Sequence, residues 1–348
     1  MSLIHGVGDF FAIDIGTNSL RLVQLSGDSQ HGWSLQNFAY VPVSEKTIED
    51  NSALGRRKLG EIILGAVQQA GIKTKNVAVG MPAHKTYTTV MEVPNLPEKE
   101  LKKSIVYQLD QNIPMPIDDA KVDYMLLGVS PSDATKAEVL ISSTAATYAE
   151  DRMELLESLG LNVVAQEPEP LAMARALTPL GVTEPRMIID LGEKTADVVV
   201  TYGGFPRLVR TIPGGFSTLV KTVSTTLSVR EDQARQFILK FGLAQDQLDG
   251  QVFKSLDPVL ESFAAELRKS IKFFQNKYAN TPISGILLSG FGGSIPFLPE
   301  YIEAKTEVAA SQGSPWQSVR VSSQQQQTLA SVANEFSVVI GLAERSND

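Results

Sequence analysis

Three short stretches of this sequence carry residue types suited to gripping a polyphosphate: FAIDIGTNSL (11–20), MIIDLGEKTADVVVT (187–201) and GILLSGFGGSIP (285–296). In the first, an apolar run meets Asp14 and is followed by Gly16, Thr17, Asn18 and Ser19. In the second, Asp190 precedes Gly192, Glu193, Lys194 and Thr195, with Asp197 just beyond. Glycine and small hydroxyl residues let backbone N–H groups and side-chain oxygens wrap phosphate from one side. Paired acids hold Mg2+, usually through its waters, and the metal bridges phosphate oxygens. The pattern predicts Asp14 and Asp190 as metal-facing acids. In the third stretch, Gly290, Phe291 and Gly292 lie between an apolar strand and a helix start, where backbone can approach a nucleoside. Each stretch taken alone also fits a plain turn.

The elements that must position these turns follow from the periodicity. FFAIDIG and LRLVQLS read as two strands joined at Gly16–Ser19, with another strand over Gly32–Val43, a helix over 55–70 and a buried strand at VAVGMP (77–82). MIIDLGEKTADVVVT repeats the first motif: Ile13, Asp14, Gly16 and Val23 match Ile189, Asp190, Gly192 and Val199, 176 residues later. That spacing is close to half of the 348-residue chain and predicts a duplicated α/β architecture, its two acids facing across a cleft. Residues 85–164 read as a β/α insertion. Its helix opens at Pro97 and repeats Leu101, Ile105 and Leu109 on a face that reads as core more readily than as a peptide groove. Helices are expected over 215–227, 232–241 and 256–277; on the last, Glu266 and Lys269 lie off the apolar face and are available to a ligand.

Composition narrows the class. Apolar residues make up 43% of the chain, enough for real cores, and the net charge of −8 disfavours a non-specific nucleic-acid or anionic-membrane binder. No cysteine is present, which rules out disulfides and thiol chemistry. His5, His31 and His84 lie far apart, so a histidine metal site is not expected. The opening MSLIHGVGDFF lacks a basic n-region, and no apolar run reaches the ~18 residues that a spanning helix needs. A cytosolic protein is expected, with any membrane contact made through a partner.

IDIGTNS, IDLGEKTAD and GILLSGFGG resemble the phosphate-1, phosphate-2 and adenosine motifs of the actin-like ATPase superfamily. The resemblance narrows further. VAVGMP followed by MEVPNLPEKELKKSIVYQLDQNIPMPIDDAKVDYMLLG, then EPEPLAMARAL, IPGGFSTLV, ELRKSIKFF and FSVVIGLAER, is similar to segments of the PilM family, the cytoplasmic actin-like component of type IV pilus assembly. It implies an α/β actin-like ATPase fold, two duplicated domains around a nucleotide cleft with an inserted subdomain. The implied division is 1–84 with 165–184 (1A), 85–164 (1C), 185–215 with 280–348 (2A) and the mainly helical 216–279 (2B). It also implies ATP and Mg2+ as cofactors, with Gly214, Gly215, Glu266 and Lys269 joining the three loops in nucleotide binding. The implied partner is the N-terminal cytoplasmic peptide of a PilN-like bitopic inner-membrane protein, seated between 1A and 1C, with pilus motor or platform proteins beyond it.

Departures from the family pattern matter. Glu193 and Lys194 stand where small residues are usual, and a carboxylate there repels a triphosphate unless it turns outward or Lys194 offsets it. Phe291 replaces a frequent glycine, placing a ring where it crowds the adenosine or stacks beside it. Asp197 is the one further motif acid for metal or water, or it caps local backbone. Three other readings stay open. AIDIGTNSLRLV resembles the opening of exopolyphosphatase-type phosphatases, although a GEEEA-like segment and a DIGGGS loop are both missing. An FtsA-like division scaffold would end in a basic amphipathic tail, where this sequence reads VVIGLAERSND. The third is an actin-like adaptor that binds no nucleotide. Enzymatic activity, at most a slow ATPase, is secondary to scaffolding in this reading.

Overall fold

The computed structural model describes residues 9–179 and 181–345, which divide between two compact units with boundaries at Pro179/Leu180 and Ser314/Pro315. The readings made on residues 1–8 and 346–348 lie outside the described residues.

In the first unit, β1 (Phe11–Ile15), β2 (Ser19–Asp28) and β3 (Gly32–Pro42) form an antiparallel meander. Helices α1 (Glu45–Glu49) and α2 (Ala53–Gln69) follow, each opened by a serine whose side chain accepts from a first-turn amide. β4 (Asn76–Met81) then runs parallel to β1. The insertion makes its own sheet from β5 (Thr86–Pro94), β6 (Ala120–Val129) and β7 (Lys136–Ala145), in the order β5-β7-β6. Its helix α3 (Glu98–Asn112) buries Leu101, Ile105 and Leu109 against Met91, Val93, Val139 and Ile141. That face is core, as its spacing suggests. α4 (Ala146–Ser158), β8 (Asn162–Pro168) and α5 (Glu169–Leu177) return the chain to the main sheet.

The second unit repeats the plan. β9 (Arg186–Leu191), β10 (Thr195–Tyr202) and β11 (Phe205–Pro213) form the meander. Helices α6 (Phe216–Leu227), α7 (Glu231–Phe241) and α8 (Gln251–Lys277) follow, α8 starting five residues before the expected Leu256. β12 (Gly285–Gly290) lies parallel to β9 and is followed by α9 (Leu298–Thr306) and β13 (Ala310–Gln312). The strand order β11-β10-β9-β12 mirrors β3-β2-β1-β4, the duplication that the repeated motif predicts.

The last segment corrects the expected division, which grouped 280–348 together. β14 (Val319–Arg320) pairs with β3, extending the first unit's sheet to β14-β3-β2-β1-β4-β8. α10 (Ser323–Leu329) follows, and α11 (Ser337–Ala343), buried along its whole length, packs on α5 and β1. A seven-residue helix buried all round must sit inside a core, and the core that takes it is the first unit's. Gly341 makes this possible: a Cβ there would lie 1.8 Å from the Ala172 carbonyl oxygen, so α5 and α11 touch through backbone. Gly341→Ala is therefore expected to cost ~3 kcal/mol or more by overpacking, read as a lower urea midpoint at unchanged slope.

Candidate functional site: two phosphate-type loops and a groove

Both predicted loops close in the same way. Gly16 N–H donates to the Ser19 carbonyl at 3.0 Å, and Gly192 N–H donates to the Thr195 carbonyl at 2.9 Å. Ser19 and Thr195 are already the first residues of β2 and β10, so each turn is three residues wide. Asn18 is anchored by its carbonyl, which accepts from Val43 N–H at 3.0 Å. Thr17 stands half-buried at the tip.

Asp14 does not face the first loop alone. It is buried and lies opposite Arg21 across the β1–β2 pair, and Arg21 Nη1 donates to its Oδ2 at 2.7 Å. The other arm, Nη2, donates to Glu335 Oε2 at 2.8 Å, and the Tyr40 hydroxyl donates to the same oxygen at 3.3 Å. Burial alone would make the Arg21 charge costly, yet the two carboxylates hold its pKa above the ordinary value. A Cβ on Gly16 would come within 2.9 Å of Arg21 Nη1, so glycine is what lets the guanidinium lie against the loop. Sequence reasoning missed Arg21. The signal was available: with Ile15 opposite Leu20, positions 14 and 21 must face each other.

The second loop is built into a tighter nest. Phe216 and Ser217, at the start of α6, donate to the Gly192 and Glu193 carbonyls, both at 2.9 Å. Gly215 is required there, since a Cβ would lie 2.5 Å from the Gly192 oxygen, and Gly214 turns the chain with φ +94. Gly290, at φ +60, sits so close to β9 that a Cβ would meet the Leu191 oxygen at 2.7 Å and Asp190 Oδ1 at 2.8 Å. Gly292 rests near Leu191. The structure thus brings Asp190, Gly192, Glu193, Gly215, Gly290 and Gly292 together.

Asp190 and Asp197 are cross-strand partners, and Asp197 accepts from the Thr211 hydroxyl at 2.6 Å. Burial pushes the Asp197 carboxyl up to about 7; the Thr211 hydrogen bond opposes this and the Asp190 charge adds to it. Among the described residues, no three His, Cys, Asp or Glu side chains are grouped to hold a metal directly.

The two departures in the sequence prove to be one structure. Phe291 stacks on Phe216, with ring centroids 4.3 Å apart and an interplanar angle of 12°. Arg235 of α7 lies over both rings, 4.8 Å from the Phe216 centroid and 5.4 Å from that of Phe291. Its Nη2 donates to Glu193 Oε1. Glu193 is neither turned outward nor offset only by the exposed Lys194, because Arg235 neutralises it. Glu266 and Lys269 pair with each other at 2.5 Å, and the second Glu266 oxygen lies 3.5 Å from Arg210.

A separate feature lies within the first unit. A solvent-open groove of about 610 Å³ runs between the inserted sheet and the main sheet, lined by Asp123, Tyr124 and Met125 of β6, Leu140 and Ser142 of β7, and Val164–Pro168 of β8, with Leu171 and Arg345. Its floor is charged. Glu167 is 2% exposed and holds two arginines: Arg175 donates to both of its oxygens, and Arg345 donates to Oε2 at 2.6 Å. Burial opposes ionisation of Glu167, but the two guanidinium charges keep its pKa below the usual carboxylate range.

Comparison with known proteins identifies this architecture. The family model described as type IV pilus assembly protein PilM matches residues 12–347. The chain belongs to the PilM family. Among solved structures, a chain of a PilM-PilN type IV pilus biogenesis complex is similar over 98% of this chain and 99% of that one, at TM-score 0.81 and 20% identity. The ethanolamine utilization protein EutJ from Carboxydothermus hydrogenoformans is similar over 98% of this chain and 90% of its own, at TM-score 0.57 and 14% identity. MreB 5 of Spiroplasma citri, solved bound to AMPPNP, covers 96% and 94% at TM-score 0.54 and 11% identity. At these identities the likeness carries the fold, an actin-like α/β architecture. No helix among the described residues of this family member is long and apolar enough to cross a membrane.

Proposed function

We propose that this PilM-family chain acts as a scaffold at the cytoplasmic face of the inner membrane, holding the N-terminal cytoplasmic peptide of a PilN-like bitopic protein in the first unit's groove. The supporting observation is the groove itself, an open channel lined by Glu167 and Arg345, whose shared ion pair extends to Arg175 behind it. The similar solved structure is itself a PilM-PilN complex. Membrane attachment then comes through the partner, and pilus motor or platform proteins are reached through the assembled pair. Pull-down of the chain with an immobilised N-terminal peptide of the PilN-like protein, with and without ATP, tests this; no capture in either condition rejects it.

We further propose that the chain binds ATP with Mg2+. The residues fit the group unevenly. Gly16–Ser19 and Gly192–Thr195 offer two loops of one geometry for phosphate oxygens. Asp190 with Asp197 suits a hydrated cation, because a positive charge relieves the repulsion and burial that hold Asp197 protonated. Asp14 suits it less well, since Arg21 already neutralises it. When bound, Mg2+ would supply charge neutralisation along the phosphates. Any hydrolysis is slow in this reading, with Asp197 the candidate acid beside Asp190.

The Glu193–Arg235 pair makes a signed prediction. Glu193→Gln leaves the Arg235 charge uncompensated beside the loop and should tighten Mg-ATP binding by roughly tenfold, whereas Arg235→Ala exposes the Glu193 charge and should weaken it by a similar factor. Calorimetric titration at low salt reads both. Absence of heat at millimolar ATP in the parent and both variants would reduce the loops to structural turns.

A further inference from the structure

We propose that the groove takes its peptide as an added β-strand, paired through backbone to the free edge of β8. The proposal rests on the reading of the groove as the partner's site and specifies how that site recognises its occupant.

Strand order supplies the first observation. β8 is the terminal strand of the main sheet and β6 the terminal strand of the inserted sheet, and both line the same groove. Side chains of a strand alternate between its two faces, so a groove against one face is lined by every second residue. On the inserted sheet that alternation is visible, since Leu140 and Ser142 of β7 line the groove and pair with Met125 and Asp123 of β6. On β8 the lining residues are instead consecutive, 164 to 168, so the groove there meets the strand's edge, where backbone N–H and C=O groups point. An open edge of this kind is a template for another strand.

The two edges are not equivalent. On β6 the Tyr124 N–H is bonded to the side chain of its own neighbour, Asp123 Oδ1, at 2.9 Å. Farther along, the β6 register breaks between Leu126 and Gly128. A local carboxylate and a bulge are both ways of blunting an edge. On β8 the bulge is the single residue Val164, at the end of the groove, and the pairing with β4 then runs unbroken from Ala165 to Pro168. β8 is therefore the edge left for pairing.

The occupant follows from chemistry. It is an extended segment with apolar residues at alternate positions, for the groove wall of Met125, Leu140 and Leu171. The groove charges, Asp123, Glu167 and Arg345, are of both signs, so the backbone and the apolar residues of the segment carry its recognition.

The test uses the synthetic N-terminal peptide of the PilN-like protein and a series of the same peptide with a single backbone N-methyl group moved along it. Anisotropy titrations on the full chain should show affinity falling by ~10-fold or more at every second position, with the intervening positions tolerated, because alternate amides face the sheet. Hydrogen exchange should slow in the 164–167 segment when the unmodified peptide is present. Uniform tolerance of N-methylation, with unmodified peptide still bound, overturns strand addition and leaves the groove assignment standing. Failure of the unmodified peptide to bind overturns the groove assignment itself.

Discussion

Glu167→Ala is expected to destabilise the first unit by ~3–5 kcal/mol, the largest single effect in this fold, because it removes the shared counter-charge of two arginines. The Arg345 side chain is 11% exposed and that of Arg175 27%, and Arg175 also donates to the Gly341 carbonyl beneath α11. Without Glu167 both guanidinium groups stay where packing holds them, without their anion. Glu344 shapes the outcome. Burial pushes its carboxyl up to about 8, with the Arg175 charge opposing, and its Oε1 has no hydrogen-bond partner.

The sign for Glu344 follows directly. The native state keeps this proton while the unfolded chain loses it near the ordinary value of 4.5, so stability falls as pH rises from about 4.5 to about 8 and is level above. Glu344→Gln should remove that slope and stabilise the protein above pH 8 by on the order of 3 kcal/mol. In Glu167→Ala, however, Glu344 becomes the nearest carboxyl to Arg175 and ionises to replace the lost charge. The double variant is then less stable than the two single changes predict by addition. Urea melts of the four proteins at pH 7 and pH 9 read each of these signs. Additive behaviour would mean that the two acids do not share the arginines.

Ala165→Trp should abolish capture of the PilN-like peptide, with an affinity loss of ~100-fold or more, equivalent to about 2.7 kcal/mol. Ala165 is half-buried on β8 and lines the groove, so an indole there fills the channel from its wall. Its backbone pairing with Ala78 is unaffected by the side chain, and folding stability should change by less than ~1 kcal/mol. Ala165→Ser, small and polar, should bind as the parent does. Equal binding by parent and tryptophan variant would place the peptide elsewhere.

Much of the scaffold was legible in the sequence because its signals are local. A glycine three residues before a strand start closes each hairpin, and the repeated Ile-Asp-x-Gly stands at half-chain spacing because the same strand meander occurs twice. The apolar face of α3 was readable because Leu101, Ile105 and Leu109 follow the helical period. What was not legible depends on distance. Glu193 and Arg235 are 42 residues apart on a loop and a helix, so the sequence shows an acid in a phosphate loop without its counter-charge. Phe291 reads as a ring that crowds a nucleoside or stacks beside it, and its stacking partner Phe216 is not visible 75 residues away. The groove exists because β6 and β8 end their sheets, and strand order is not encoded in any one segment. Residues 315–345 were grouped with the wrong unit for the same reason: α11 is apolar enough for either core, and only the pairing of β14 with β3 and the packing of α11 on α5, Gly341 against Ala172, show which one accepts it.

The most direct test of the central claim is site-specific photo-crosslinking in cells. A photoreactive phenylalanine derivative replaces Met125, in the groove, or Phe273, which is 61% exposed on α8 of the second unit. Irradiation should join the Met125-position probe to the PilN-like membrane protein and give no such adduct from the Phe273 position. An adduct from Phe273 with none from Met125, or no adduct with this partner from either, would contradict the account.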